Sequence, residues 1–202
     1  PSAPHDEQTA YVSVTPVKNE IGTRQPLSEV LSLVRERSPR AVLHTDAVQA
    51  PMWIDPTEFM LCDLVTVTGH KVGGPRGIGV LVVRDGVKLV AEIEGGGQER
   101  GLRAGTPDVA AAVALALALE ITVARRDETA TRVRALRDRL ISGVLASVPD
   151  VVLVGADSAR VDGFAPFALA GIESESLLVL LDRAGVDAAA GSSCASGATE
   201  PS

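Results

Sequence analysis

Aromatic side chains are nearly missing from this sequence, with one Trp, one Tyr and three Phe among 202 residues. The core must therefore be built from Ala, Val, Leu and Ile, which suits buried strands covered by Ala- and Leu-rich helices. Cysteine is scarce as well: only Cys62 and Cys194 are present. They could form at most one disulfide. With no basic-then-apolar leader in view, they read as free thiols of a cytoplasmic protein. No apolar run approaches the ~20 residues of a membrane span. The longest, residues 109–119, is half alanine and reads as a buried helix. A surplus of positive charge is also lacking, since 19 Lys and Arg face 26 Asp and Glu for a net charge of -7. Such a chain gains nothing from phosphate backbones, which argues against direct nucleic-acid binding. Basic residues cluster only at 125–139, alternating with acids, and read as a solvated helix face. No metal-ligand set is read from the sequence.

What is present alternates. Residues 11–17 are β-rich and apolar, and a loop through Asn19 follows. Residues 26–37 carry helical periodicity, with Pro26 early and Glu29 in the first turn. Short strands are predicted over 41–44, 64–67 and 77–83. This spacing argues for an α/β chain with a largely parallel sheet. A glycine-rich stretch at 95–101 precedes Thr106-Pro107-Asp108, which reads as a helix start with Thr106 at the N-cap. Beyond a boundary near 124–129 come a charged helix over 128–145, strands near 151–154 and 167–170, a helix from Ser174 to about Arg183, and a strand near 186–189. Both ends of the sequence, Pro1-Ser2-Ala3-Pro4-His5 and Glu200-Pro201-Ser202, look like cuts.

In open α/β sheets, ligands bind beyond the carboxyl ends of the strands. Two strands here end in polar residues: Thr45-Asp46 with Gln49, and Thr68-Gly69-His70-Lys71. Asn19 follows the first strand, and all of these are expected to converge on one crevice. A single lysine is ordinarily a solvated surface group. Lys71 differs because it ends a β run, stands beside His70, and precedes glycines that would let backbone approach a bound molecule. A Schiff-base lysine needs such partial desolvation to become nucleophilic. Asp46 alone would read as a helix N-cap. Beside Lys71, its carboxylate suits holding a pyridinium nitrogen protonated. Gln49 and Asn19 could hydrogen-bond a phenolic oxygen, and Thr68 and His70 a phosphate. Cys194, set in Gly191-Ser192-Ser193-Cys194-Ala195-Ser196-Gly197, has few neighbours that could bury it and reads as a mobile nucleophilic thiol. Cys62, in Phe59-Met60-Leu61-Cys62-Asp63, reads as structural.

Five blocks together resemble the ordered signatures of the cysteine desulfurases, in the class V aminotransferase group with the type I fold of pyridoxal-phosphate enzymes. They are Asn19-Glu20-Ile21-Gly22-Thr23, His44-Thr45-Asp46-Ala47-Val48-Gln49, Thr68-Gly69-His70-Lys71, Gly95-Gly96-Gly97-Gln98-Glu99-Arg100-Gly101 and Gly191-Ser192-Ser193-Cys194. The resemblance implies that Lys71 binds pyridoxal 5'-phosphate covalently, with Asp46 on the ring nitrogen, Gln49 and Asn19 on the phenolic oxygen, and Thr68 and His70 on the phosphate. It implies that Thr106 reaches the phosphate of a partner subunit in a homodimer. Cys194 would take sulfur from L-cysteine, leave L-alanine, and pass the persulfide sulfur to scaffold or tRNA-modifying acceptors. Residues 1–125 would be part of the large cofactor domain and 126–202 part of a smaller one carrying the cysteine loop.

The sequence departs from the family pattern in places. Lys18 stands where a first asparagine is usual, and Asp162-Gly163-Phe164-Ala165 lacks a polar Asn often found nearby. The family's ring-stacking histidine and its carboxylate-binding arginine lie in parts not represented, so these 202 residues are expected to hold only part of the pocket. The alternatives are another class V aminotransferase, a selenocysteine lyase, or an incomplete module that binds sulfur-transfer partners.

Overall fold

The computed structural model describes residues 9–191. The chain divides into two compact units: one takes residues up to Val17 together with Gln25–Ala130, the other Lys18–Arg24 and residues from Thr131 onward.

The first unit is a sheet with helices. It contains β1 (Tyr11–Val14), α1 (Leu27–Arg37), β2 (Val42–Asp46), a one-turn α2 (Pro56–Phe59), β3 (Leu64–Thr68), β4 (Gly79–Val83) and α3 (Val109–Ala124). The strands lie in the order β1-β2-β3-β4. β1, β2 and β3 are mutually parallel, and β4 folds back antiparallel on β3. Strand side chains alternate between faces. One face, with Val12, Leu43, Thr45, Val65 and Val67, is buried. Thr45, the polar member of that face, satisfies its hydroxyl by donating to the Val14 carbonyl at 2.8 Å. The other face presents Tyr11, Ser13, His44, Asp46, Thr66 and Thr68. Asp63 joins the elements around this sheet. Its carboxylate accepts from the Leu43 amide at 2.8 Å and pairs with Arg35 of α1 and Arg84 beyond β4. Burial pushes its pKa up, but the Arg35 bond, the Leu43 amide and the two positive charges outweigh that and hold it below the ordinary carboxylate range.

Two expectations fail in α3. Its N-cap is Asp108, whose side chain accepts from the Ala111 amide, and Thr106 lies outside the helix. The helix is also not buried. Leu115 alone is, while Val109, Val113, Leu117 and Ile121 are 67%, 63%, 54% and 50% exposed. Apolar residues occupy every side of this helix, so composition gives no preferred face and cannot say which side is covered.

The second unit includes most of α4 (Arg126–Ser147), an antiparallel pair β5 (Val151–Leu153) and β6 (Phe167–Leu169), and α5 (Ser174–Arg183). The segment Lys18–Arg24 joins it through a bridge between Thr23 and Arg160, with the Val161 amide donating to the Gly22 carbonyl at 3.0 Å. Gly22 is required there, with φ +70° and an added Cβ falling 2.5 Å from the Phe164 ring.

The arginines of α4 are not simply solvated. Arg134 holds Asp162 with two bonds, at 2.8 and 3.1 Å, and Arg137 adds a third at 3.3 Å. In the first unit, Arg126 reaches Asp55 at 3.0 Å. Carboxylates distant in sequence hold these guanidinium groups, and the side chains of Arg126 and Arg137 are largely covered while that of Arg134 stays exposed. The strand expected near 186–189 is absent. Gly185 turns left-handed at φ +76°, and the Val186 amide returns to the Leu181 carbonyl at 2.9 Å. A helix-ending motif therefore uses the group that a ladder would need.

Candidate active site

β2 and β3 are adjacent parallel strands, and their carboxyl ends lie side by side, with Asp46 opposite Thr66. At the end of β2 the chain turns, and Asp46 Oδ1 accepts from the Val48 amide at 3.2 Å. Asp46 thus caps a turn and not a helix. Its second oxygen receives no hydrogen bond from the described residues. Gln49, half-buried, follows in that turn. At the end of β3, the Thr68 hydroxyl stands 3.0 Å from His70 Nδ1 and 3.3 Å from the Ile78 carbonyl. Gly69–Lys71 then forms a single 3₁₀ turn. Lys71 is half-buried and makes no hydrogen bond or ion pair with the described residues.

Two glycines of this loop, Gly69 and Gly74, are required by close backbone packing. An added Cβ on Gly69 would lie 2.6 Å from the Pro75 carbonyl oxygen, and one on Gly74 would lie 3.1 Å from that of Gly69. The loop closes on itself, with Gly69 N–H donating to Ile78 and Gly74 N–H to Gly69. This tight winding fixes where Lys71 leaves the strand.

Asp46, Gln49, Thr68, His70 and Lys71 therefore gather at neighbouring strand ends of the first unit. Asn19 belongs to the second unit, and Thr106 is exposed in the coil before α3. Cys194 lies outside the described residues. Cys62 is buried and free, and burial together with the Asp63 charge pushes its thiol up to about 11. It stays protonated and inert near neutral pH.

One group on the polar face escaped the sequence reading. His44 bonds through both ring nitrogens, Nδ1 to Ser13 Oγ and Nε2 to Thr66 Oγ1, each at 2.8 Å. The Tyr11 ring stacks on it with centroids 6.0 Å apart. Its alternation with Asp46 was the available signal, once the strand was given its faces.

The family model for class-V aminotransferases matches residues 3–201. The chain belongs to the class-V aminotransferase family. Within that family it is 44% identical over 201 residues to an IscS-like cysteine desulfurase of Mycobacterium tuberculosis, covering 98% of this chain and 50% of that protein. It is 38% identical over 198 residues to the cysteine desulfurase NifS of Azotobacter vinelandii, covering 97% and 48%. Among solved structures it superposes on a NifS-like protein with a TM-score of 0.85 at 33% identity, over 90% of this chain and 50% of that one. It also superposes on SspA in complex with cysteine, with a TM-score of 0.71 at 28% identity, over 96% and 53%. The chain spans about half the length of the curated relatives it matches. The mostly parallel sheet flanked by helices is the family's type I fold, as the motifs implied.

Proposed function

We propose that this chain carries the cofactor-binding core of a pyridoxal-phosphate-dependent cysteine desulfurase, which converts L-cysteine to L-alanine and holds the released sulfur as a persulfide on Cys194. The observation that carries this reading is the donor set at the ends of β2 and β3. A carboxylate with one oxygen open, a half-buried amine without a partner among the described residues, and a hydroxyl–imidazole pair stand on adjacent strand ends. A pyridine nitrogen, an aldehyde and a phosphate call for these three kinds of group, so the residues fit the cofactor. The naming of relatives as cysteine desulfurases supports the choice of substrate.

In this reading Asp46 holds the ring nitrogen, Lys71 the aldehyde carbon, Thr68 and His70 the phosphate, and Gln49 the phenolic oxygen. Bound there, pyridoxal phosphate supplies an electron sink for bond breaking at the substrate carbons. The chain's own work is orientation and proton handling. Asp46 keeps the nitrogen protonated, and the Lys71 amine, relieved of part of its hydration, takes and returns a substrate proton. The Cys194 thiolate bonds to the substrate sulfur as the carbon–sulfur bond breaks, and the carbon is protonated. The net change is one thiol and one cysteine giving one persulfide and one alanine. Cys62 cannot substitute, because burial keeps its thiol protonated. Residues 1–125 belong to the large domain and 126–202 to the small one. The working form is a cytoplasmic homodimer in which Thr106 serves the partner's phosphate site, and the sulfur passes to scaffold or tRNA-modifying acceptors.

The test is spectroscopic and chemical. The purified protein should be yellow, and Lys71→Ala should remove its visible absorbance band. Cys194→Ser should keep the band and lower sulfide release from cysteine at least ~100-fold, the scale of losing a nucleophile. Unchanged sulfide release would refute the persulfide step and favour another class V reaction. A colourless protein that develops no band on added cofactor would favour a partner-binding module.

A further inference from the structure

We infer that His44 is a positioning residue that holds the Thr66 hydroxyl away from Asp46, and so keeps one Asp46 oxygen open for the cofactor ring. The inference rests on the reading of Asp46 given under Proposed function.

Thr66 is the direct cross-strand partner of Asp46 on β3, and both side chains stand on the polar face. Neighbouring strands lie ~4.8 Å apart, and these two side chains project from the same face. One χ1 rotation would therefore bring a threonine hydroxyl to the neighbouring carboxylate. A hydroxyl–carboxylate bond is charge-assisted and stronger than a neutral one. Left alone, Thr66 would take it. Instead, Thr66 Oγ1 lies 2.8 Å from His44 Nε2 and makes no bond to Asp46.

His44 is itself fixed on three sides. Its backbone is in β2, its Nδ1 meets Ser13 Oγ of β1 at 2.8 Å, and Tyr11 stacks on its ring with an interplanar angle of 18°. Both partners are hydroxyls, which donate or accept as needed. The hold on Thr66 is therefore the same for either tautomer of the ring. Asp46 Oδ1 is already committed to the Val48 amide. A rotated Thr66 would therefore compete for the carboxylate that the proposed site needs.

The experiment is a titration of cofactor-free protein with pyridoxal 5'-phosphate, read by absorbance and fluorescence. His44→Phe keeps a ring for Tyr11 but releases Thr66, and affinity is expected to fall roughly tenfold, the scale of one hydrogen bond to a charged group. Adding Thr66→Val removes the competing hydroxyl and should restore affinity to within about twofold. A double variant as weak as His44→Phe would overturn the inference, since His44 would then act by packing alone. Full affinity in His44→Phe would overturn it as well. Should His44→Phe fail to fold, a polar pair carries the test. His44→Gln, whose amide reaches as far as Nε2, should retain affinity, and His44→Asn, which reaches only as far as Nδ1, should lose it. Equal affinity in the two refutes the role. Asp46→Asn separates the underlying reading: unchanged affinity and absorbance there would show that Asp46 does not touch the cofactor.

Discussion

The two units of this chain are held together by different physics. Almost every buried apolar side chain among the described residues belongs to the first, from Val12 and Leu43 on the sheet to Val34, Phe59 and Val67 around it. In the second, Val161 and Asp162 are the buried apolar and charged residues, and Asp162 collects two arginines. Apolar burial is non-directional and grows with area. A bidentate guanidinium–carboxylate pair is directional and fails if either partner leaves. The unit that bears the proposed cofactor site is thus the one whose strand ends are fixed by packing.

Three substitutions would break or sharpen that contrast. The largest effect is expected for Leu43→Ala, because Leu43 is fully buried at the centre of the sheet. It should lower the stability of the first unit by about 3 kcal/mol. Trp53, the sole tryptophan and a residue of the first unit, reports this directly in denaturant unfolding. Next comes Asp162→Ala. It removes the carboxylate that Arg134 and Arg137 share and leaves Arg137, whose side chain is 17% exposed, with Asp138 and the Val161 carbonyl, at a cost of about 1 kcal/mol. Hydrogen exchange at the Val161 and Arg24 amides should speed up while the Trp53 transition stays in place. A shifted Trp53 transition would show that the units do not melt separately. The smallest effect is a pH dependence. Asp63 has a folded pKa below its unfolded value of ~3.9. Its stabilisation is therefore complete above that value and is lost as pH falls through the lower, folded one. The slope stays under about 1.4 kcal/mol per pH unit, the ceiling for one proton. Asp63→Asn should flatten this part of the acid limb while Trp53 is followed.

Much of the first unit was legible because its strands are β-branched runs that end in polar residues. The runs at 64–68 and 79–83 could hardly be anything else. The exposure of α3 was not legible, because Val113 and Leu117 resemble core residues in any local window. The place of Asn19 was hidden for another reason. Its segment is claimed by residues 159–161, far along the chain, through backbone bonds that leave no compositional trace. At the candidate site, Asp46, Thr68, His70 and Lys71 could be read from their strand ends. His44 could not be given a role, since its hydroxyl partners lie 31 residues before it and 22 after.

Asp63 carries a consequence for strand alignment. A slip of one residue between β2 and β3 would exchange their faces, and the apolar pattern forbids it. A slip of two residues preserves the pattern, and alternation alone cannot prevent it. Asp63 can, because its amide donates to the Leu43 carbonyl while its carboxylate accepts from the Leu43 amide. Arg35, which also donates to the Ala41 carbonyl, ties the same carboxylate to the start of β2. Only one alignment satisfies all of these at once, and that alignment sets Asp46 level with Thr66 three residues further along.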